Sequence, residues 1–254
     1  MINFFRKIRK KLADDNKPLK YARYAIGEIV LVVIGILIAL SINNWNEDLK
    51  QERLKQQLYT ELRGSIMADT VQYNISIKRL KSALFNAKHL KEKISINAPY
   101  SSELDSSFAK IQLISSWDAL YAIFNRIMDV GIEIIDDNNL KNVFLHYYED
   151  SKMFTRNGET TRELLEKKIY PKYFISHNYE VSAVPEDFEK LKRVNEFKIA
   201  LDYCIESSSD LIDITNHRKK LAVLILEMLN NQITLNNTQL EKMPYIKSMT
   251  NDTL

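Results

Sequence analysis

Only one cysteine, Cys204, occurs in the 254 residues, so an internal disulfide and a cysteine-based zinc centre are both excluded. Glycine and proline number five each, too few for the frequent turns of an all-β sandwich or barrel. The four histidines, His89, His146, His177 and His217, are scattered without metal-ligand spacing. The chain contains no glycine-rich phosphate loop, no His-Glu-x-x-His, no Cys-x-x-Cys and no Gly-x-Ser-x-Gly. Asp136-Asp137-Asn138-Asn139 lacks the central glycine and the closing glutamate of a calcium loop and reads as a helix cap. The sequence therefore predicts neither an enzyme nor a cofactor.

Net positive charge is also missing from most of the chain, although the whole carries +3. Residues 1–24 hold eight lysines and arginines against Asp14 and Asp15, which leaves the remainder slightly acidic. A nucleic-acid partner, which needs a basic face on the folded body, is not expected. The basic residues Arg6, Lys7, Arg9, Lys10 and Lys11 alternate instead with Ile2, Phe5, Ile8 and Leu12. That pattern suits either an amphipathic helix on anionic headgroups or a plain topology signal.

What the chain does possess is one long apolar run, Ala25 to Ile42, broken only by Glu28 and Ser41. Eighteen helical residues measure roughly 27 Å, close to the hydrocarbon thickness of a bilayer. Tyr21 and Tyr24 before the run and Trp45 after it stand where interfacial aromatic anchors are expected. Ala39-Leu40-Ser41 resembles a signal-peptide cleavage site, but the long preceding region and the apolar continuation to Ile42 favour a retained anchor. Eight basic residues precede the run and only Lys50, Arg53 and Lys55 follow closely. The N-terminus is thus expected in the cytoplasm and the body outside it, in the periplasm of a double-membrane bacterium.

Glu28 lies about 6 Å inside the run, one turn from Tyr24, where a carboxylate costs far less than at mid-bilayer. At 100° per residue, Tyr21, Tyr24, Glu28, Val32, Gly35, Ala39 and Ile42 share one face within about 45°. Gly35-x-x-x-Ala39 is a small-xxx-small pair that permits close approach of a second helix. Glu28, Val32, Gly35 and Ala39 are therefore the candidate helix–helix contact in the membrane, with another copy or another membrane protein. Simple accommodation of Glu28 near the headgroups is the competing reading.

"FFRKIRKKL" followed by "YAIGEIVLVVIGILIALSINNWNE" resembles the N-terminal signature of an uncharacterised family of single-pass bacterial membrane proteins, the domain-of-unknown-function 6090 family. A second similarity covers residues 124–148: Phe124, Ile127, Asp129-Val130-Gly131 and Tyr147-Tyr148 stand where the family shows an aromatic, a leucine, a Ser-Ser-Gly turn and a helix ending in aromatics. The two serines are absent, and no role is carried over for them. The resemblance implies an anchored helical body and no activity.

The body reads as helical throughout. From residue 46 to 96, Leu54, Leu58, Leu62, Ile66, Tyr73, Ile77, Leu80, Leu84, Ala87 and Ile94 recur at three- and four-residue steps, with Gly64 the one point of flexure. Ser102 is expected to cap a short helix with Leu104, Phe108 and Ile111, and Ser115 to cap another from Trp117 to Val130, stopped by Gly131. "IEII" reads as an extended link. Asp136 or Asp137 should then open a helix running to about Ile169. "PKYFISHNYEVSAV" alone has loop or strand character. Pro185-Glu186-Asp187 should start a short helix, and a last one should span about 195–235 on Phe197, Leu201, Cys204, Leu211, Leu221, Leu224 and Leu229. The expected organisation is a tail (1–17), a transmembrane helix (18–45), an all-α antiparallel bundle (46–236) and a flexible end (237–254). The expected role is protein interaction or scaffolding, by a partner or by further copies. A helical ligand-sensing ectodomain working through a membrane partner is the alternative.

Overall fold

A computed structural model describes residues 18–115, 117–153 and 155–241, with side chains over 25–115, 117–149 and 158–232. The basic residues Arg6, Lys7, Arg9, Lys10 and Lys11, the tail 1–17 and residues 242–254 lie outside the described residues, as do the side chains of Tyr21 and Tyr24. The chain divides into two compact units between Lys55 and Gln56. Helix α1, Pro18–Ser95, runs without interruption for 78 residues, with Pro18 at its first position. Proline is favoured there because the first helical N–H has no partner to lose.

In the first unit, α1 contains the only described helix long and apolar enough to cross a membrane, with mean hydropathy 2.8 and none of that window buried.

The second unit is built on the opposite principle, with α1 burying one face. Leu58, Leu62, Ile66, Tyr73, Leu80, Ala87 and Leu90 are fully buried, as their spacing predicts. After α1 come α2 (Leu104–Lys110), α3 (Tyr121–Val130), a 3₁₀ turn (Ile132–Ile134), α4 (Asn138–Met153) and α5 (Thr155–Leu164). A π turn (Leu165–Ile169) leads into α6 (Tyr170–Tyr173), followed by β1 (Phe174–Asn178), β2 (Ser182–Pro185), α7 (Phe188–Leu191) and α8 (Asn195–Glu241). Arg63 Nε donates to Asn230 Oδ1 at 2.8 Å, and Lys91 Nζ to Asp202 Oδ1 at 2.5 Å, so α8 runs antiparallel to α1. Gln232 to Asp137 (3.1 Å) and Thr161 to Ser207 (2.8 Å) show the same for α4 and α5.

Several boundaries follow the expected chemistry. Asp137 Oδ1 accepts from the N–H groups of Asn139 (2.8 Å) and Leu140 (3.2 Å) and opens α4. Gly131, at φ 111°, ends α3 in a conformation that a side chain would strain. Asp187 caps α7 by accepting from Lys190 N at 2.9 Å. Residues 174–185 form an antiparallel hairpin, the one sheet among the described residues.

Four expectations are corrected. Ser102 does not cap α2, whose N-cap is Glu103; Ser101 Oγ takes the Glu103 N–H instead. Helix α3 begins at Tyr121, not Trp117, because Trp117 and Asp118 are held outside the helix by contacts to α1 and α8 described below. "IEII" forms a 3₁₀ turn, which closes Ile134 N on Gly131 O at 3.1 Å. The helix expected to stop before Pro171 continues through it: the preceding turn widens to π form, making room for a ring that lacks an N–H and crowds the carbonyl four residues back.

Candidate functional site

Along the span, every residue from Ile29 to Asp48 is exposed, and a Cβ added at Gly35 would meet nothing within 4 Å. Val32 is 54% and Trp45 59% exposed, and Glu28 is half-buried. Among the described residues, nothing covers the Val32–Gly35–Ala39 face.

In the second unit the inward face of α1 carries a residue that apolar periodicity does not predict. Asp69 occupies the core position between Ile66 and Tyr73 and is fully buried. Trp117 Nε1 donates to its Oδ1 at 2.8 Å, and the Tyr147 hydroxyl to its Oδ2 at 2.8 Å. The Leu120 backbone N–H adds a third donor. Tyr73 and Tyr147 hydroxyls meet at 3.0 Å, and both residues are fully buried. From α8, Arg218, only 1% exposed, donates to the Trp117 carbonyl at 3.3 Å and pairs with Asp118 at 3.5 Å. Trp117 is therefore the bridge: its indole faces the carboxylate of α1 and its carbonyl faces the guanidinium of α8.

The electrostatics follow from burial. Desolvation raises the Asp69 carboxyl above the usual carboxylate range, against the three donors that hold it down. Burial likewise pushes the Tyr73 phenol up to about 12 and the Tyr147 phenol far higher. These phenols donate and do not ionise, so the cluster is a fixed hydrogen-bonded knot rather than a proton-transfer site near neutral pH. Beside it, Tyr121, Phe124, Phe144 and Tyr148 pack ring on ring, with Phe124 and Tyr148 centroids at 4.8 Å. The α3 aromatics Tyr121 and Phe124 are half-buried and pack against the core. His146 and His217 face each other at 6.2 Å between ring centroids. Cys204 is a buried core thiol whose ionisation burial disfavours.

Asp69 and Arg218 escaped the sequence reading, yet each lies on a readable stripe. Arg218 belongs to Leu211, Thr215, Arg218, Ala222, Ile225 and Leu229, all buried at alternating four- and three-residue steps. Leu221 and Leu224, expected inward, flank that line, and Leu224 is 39% exposed. A charge at a core phase of a helix was the available signal.

The outward face of α1 is unusual in the other direction. Met67 (47%), Val71 (56%), Ile75 (46%) and Phe85 (69%) are all exposed. Met67, Val71 and Ile75 follow at four-residue steps, and Phe85 returns to the phase of Met67 after five turns. Nearby, Arg79 pairs with Glu180 at the hairpin turn, whose neighbours Tyr179 and Val181 are exposed as well.

No curated protein and no solved structure matches the chain. Residues 28–145 match one family, and they include Asp69, Tyr73 and Trp117 but neither Tyr147 nor Arg218. Over that region, from the span through the first half of α4, the chain matches the model of DUF6090, a family of unknown function.

Proposed function

We propose that the protein is a single-pass bacterial inner-membrane protein whose exported helical body associates with a second copy through the outward face of α1. One observation carries the reading: four large apolar residues, Met67, Val71, Ile75 and Phe85, line the solvent side of a helix whose other side is already packed. Exposed apolar side chains gathered along one helix face mark association sites. A second copy is the natural occupant because membrane insertion orients all copies alike. Two α1 helices then meet as identical stripes about a two-fold axis, the symmetry of most homodimers. The same helix carries the Glu28–Val32–Gly35–Ala39 face, which supplies a second contact inside the bilayer. The retained anchor, the cytoplasmic N-terminus and the periplasmic body rest on the asymmetry of basic residues around the span.

The full chain in lipid nanodiscs tests this. Val71→Cys is expected to form an intermolecular disulfide under mild oxidation, whereas Cys204, being buried, does not react. Val71→Glu is expected to weaken dimerisation at least about tenfold while shifting stability by no more than roughly 0.5 kcal/mol. A monomeric wild-type chain, or a dimer indifferent to Val71→Glu, would overturn the reading. Gly35→Ile isolates the contribution of the span.

A further inference from the structure

One cavity of the second unit is lined by more cations than its surroundings explain. About 430 Å³ in volume, it is bounded by Lys91 near the end of α1, Asn97 in the following turn, Lys192 and Arg193 after α7, and Lys198 and Asp202 in α8. Four cations and one carboxylate thus converge in a body that is otherwise slightly acidic. The size is that of a small-molecule site.

The partners of these side chains decide which of them are available. Lys192 is 5% exposed at its side chain and fully engaged: its ammonium donates to Asn97 Oδ1 at 2.7 Å and Ala98 O at 3.0 Å, and pairs with Glu189 at 2.7 Å. Three acceptors exhaust its three protons, so Lys192 builds the wall and does not read a ligand. Its bond to Asn97 has a consequence for the amide. With Oδ1 held by Lys192, the Nδ2 donors of Asn97 are fixed in direction and have no partner among the described residues. Arg193 and Lys198 are exposed and make no side-chain bond or ion pair among the described residues. Lys91 is shared with Asp202 at 2.5 Å.

Helix ends act on the cavity in opposite directions. The carboxyl end of α1 would repel an anion, but its carbonyls at 92, 93 and 94 are taken by the N–H groups of Ile96, Ala98 and Asn97. The amino end of α8, which favours an anion, begins two residues after Arg193. The balance is positive.

We propose that this cavity binds a phosphate-bearing anion, with Arg193, Lys198 and Asn97 as its donors and Lys91 released from Asp202 as a fourth. A tetrahedral phosphate presents oxygens in several directions and matches donors arriving from three separate segments. A planar carboxylate would use one fork and leave the others idle.

Isothermal titration of the full chain in a non-ionic detergent with inorganic pyrophosphate tests the site. Saturable binding is expected, weakened at least about tenfold by Arg193→Ala with Lys198→Ala. Both residues are exposed, so the melting temperature of the unliganded double variant should stay unchanged. Asp202→Asn frees Lys91 and should tighten binding severalfold, a gain that misfolding cannot imitate. Absence of saturation up to about 10 mM, or equal affinity in the wild-type and double-variant chains, overturns the proposal. Competition by monomeric short-chain phosphatidylglycerol, which needs no bilayer beside the cavity, distinguishes the two sources of this chemistry: displacement of pyrophosphate identifies a lipid headgroup as the occupant, and no displacement identifies a free solute.

Discussion

Asp69→Leu is expected to destabilise the folded body by about 3–5 kcal/mol, the range for removing one member of a buried charged cluster. The leucine fits the apolar phase of α1 between Ile66 and Tyr73, so volume is not the cause. The Trp117 indole N–H and the Leu120 N–H lose their acceptor in a place that water does not reach, and each stranded donor costs about 1–3 kcal/mol. Tyr147 can turn its proton toward Tyr73, 3.0 Å away, and recovers part of its loss. Arg218 meanwhile keeps its ion pair with Asp118 at 3.5 Å. For a chain of this size the melting temperature should fall by about 10 °C, read by thermal unfolding of the full chain in detergent. A fall of less than about 2 °C would mean that the knot contributes no net stability.

Asp69→Asn separates hydrogen bonding from charge. Asparagine can accept from Trp117 with Oδ1 and donate to Tyr147 with Nδ2, provided Tyr147 then donates to Tyr73. The pH dependence carries the sign. The native carboxyl lies above its ordinary value of 3.8 because burial disfavours its charge, whereas the unfolded one does not. Between those two values the folded chain binds more protons, so the stability contributed by Asp69 falls as pH rises through the window and is level above it. Asparagine does not titrate. Relative to wild type, Asp69→Asn should therefore gain stability as pH is raised from 3.8 upward, and melts at several pH values would show it. An unchanged difference would place Asp69 at its ordinary ionisation.

Much of this architecture was legible because helices announce themselves by period. The α1 stripe from Leu58 to Leu90, the cap at Asp137, the stop at Gly131 and the single apolar span each rest on one local rule. Failure began where tertiary contacts overrule local signals. Trp117 and Asp118 have a capping pattern before them and helix formers after them. They are nevertheless kept out of the helix by bonds to residues 48 positions upstream and 101 downstream. The hairpin 174–185 has strand chemistry in the sequence, but its register follows from Phe174 and Phe188 packing around Phe108. The outward stripe of α1 was hidden by its own regularity, since Met67, Val71 and Phe85 look like core residues until the inward face is known. The cationic cavity joins Lys91 to Lys198 across more than a hundred residues, a distance that no linear motif spans.

Arg218→Met is the companion of Asp69→Leu and should cost about 3 kcal/mol by itself, since the methionine stem refills much of the volume but the Trp117 carbonyl and Asp118 lose their buried donor. Taken singly, each substitution removes one of the two opposite charges that flank Trp117; taken together, they remove both. Both groups act electrostatically on the Tyr73 phenol, which places them in one neighbourhood. The double variant Asp69→Leu with Arg218→Met should therefore be more stable than the added single effects by about 1–3 kcal/mol, the size of coupling between residues of one network. Additivity within about 0.5 kcal/mol would show that Trp117 insulates the two charges from each other.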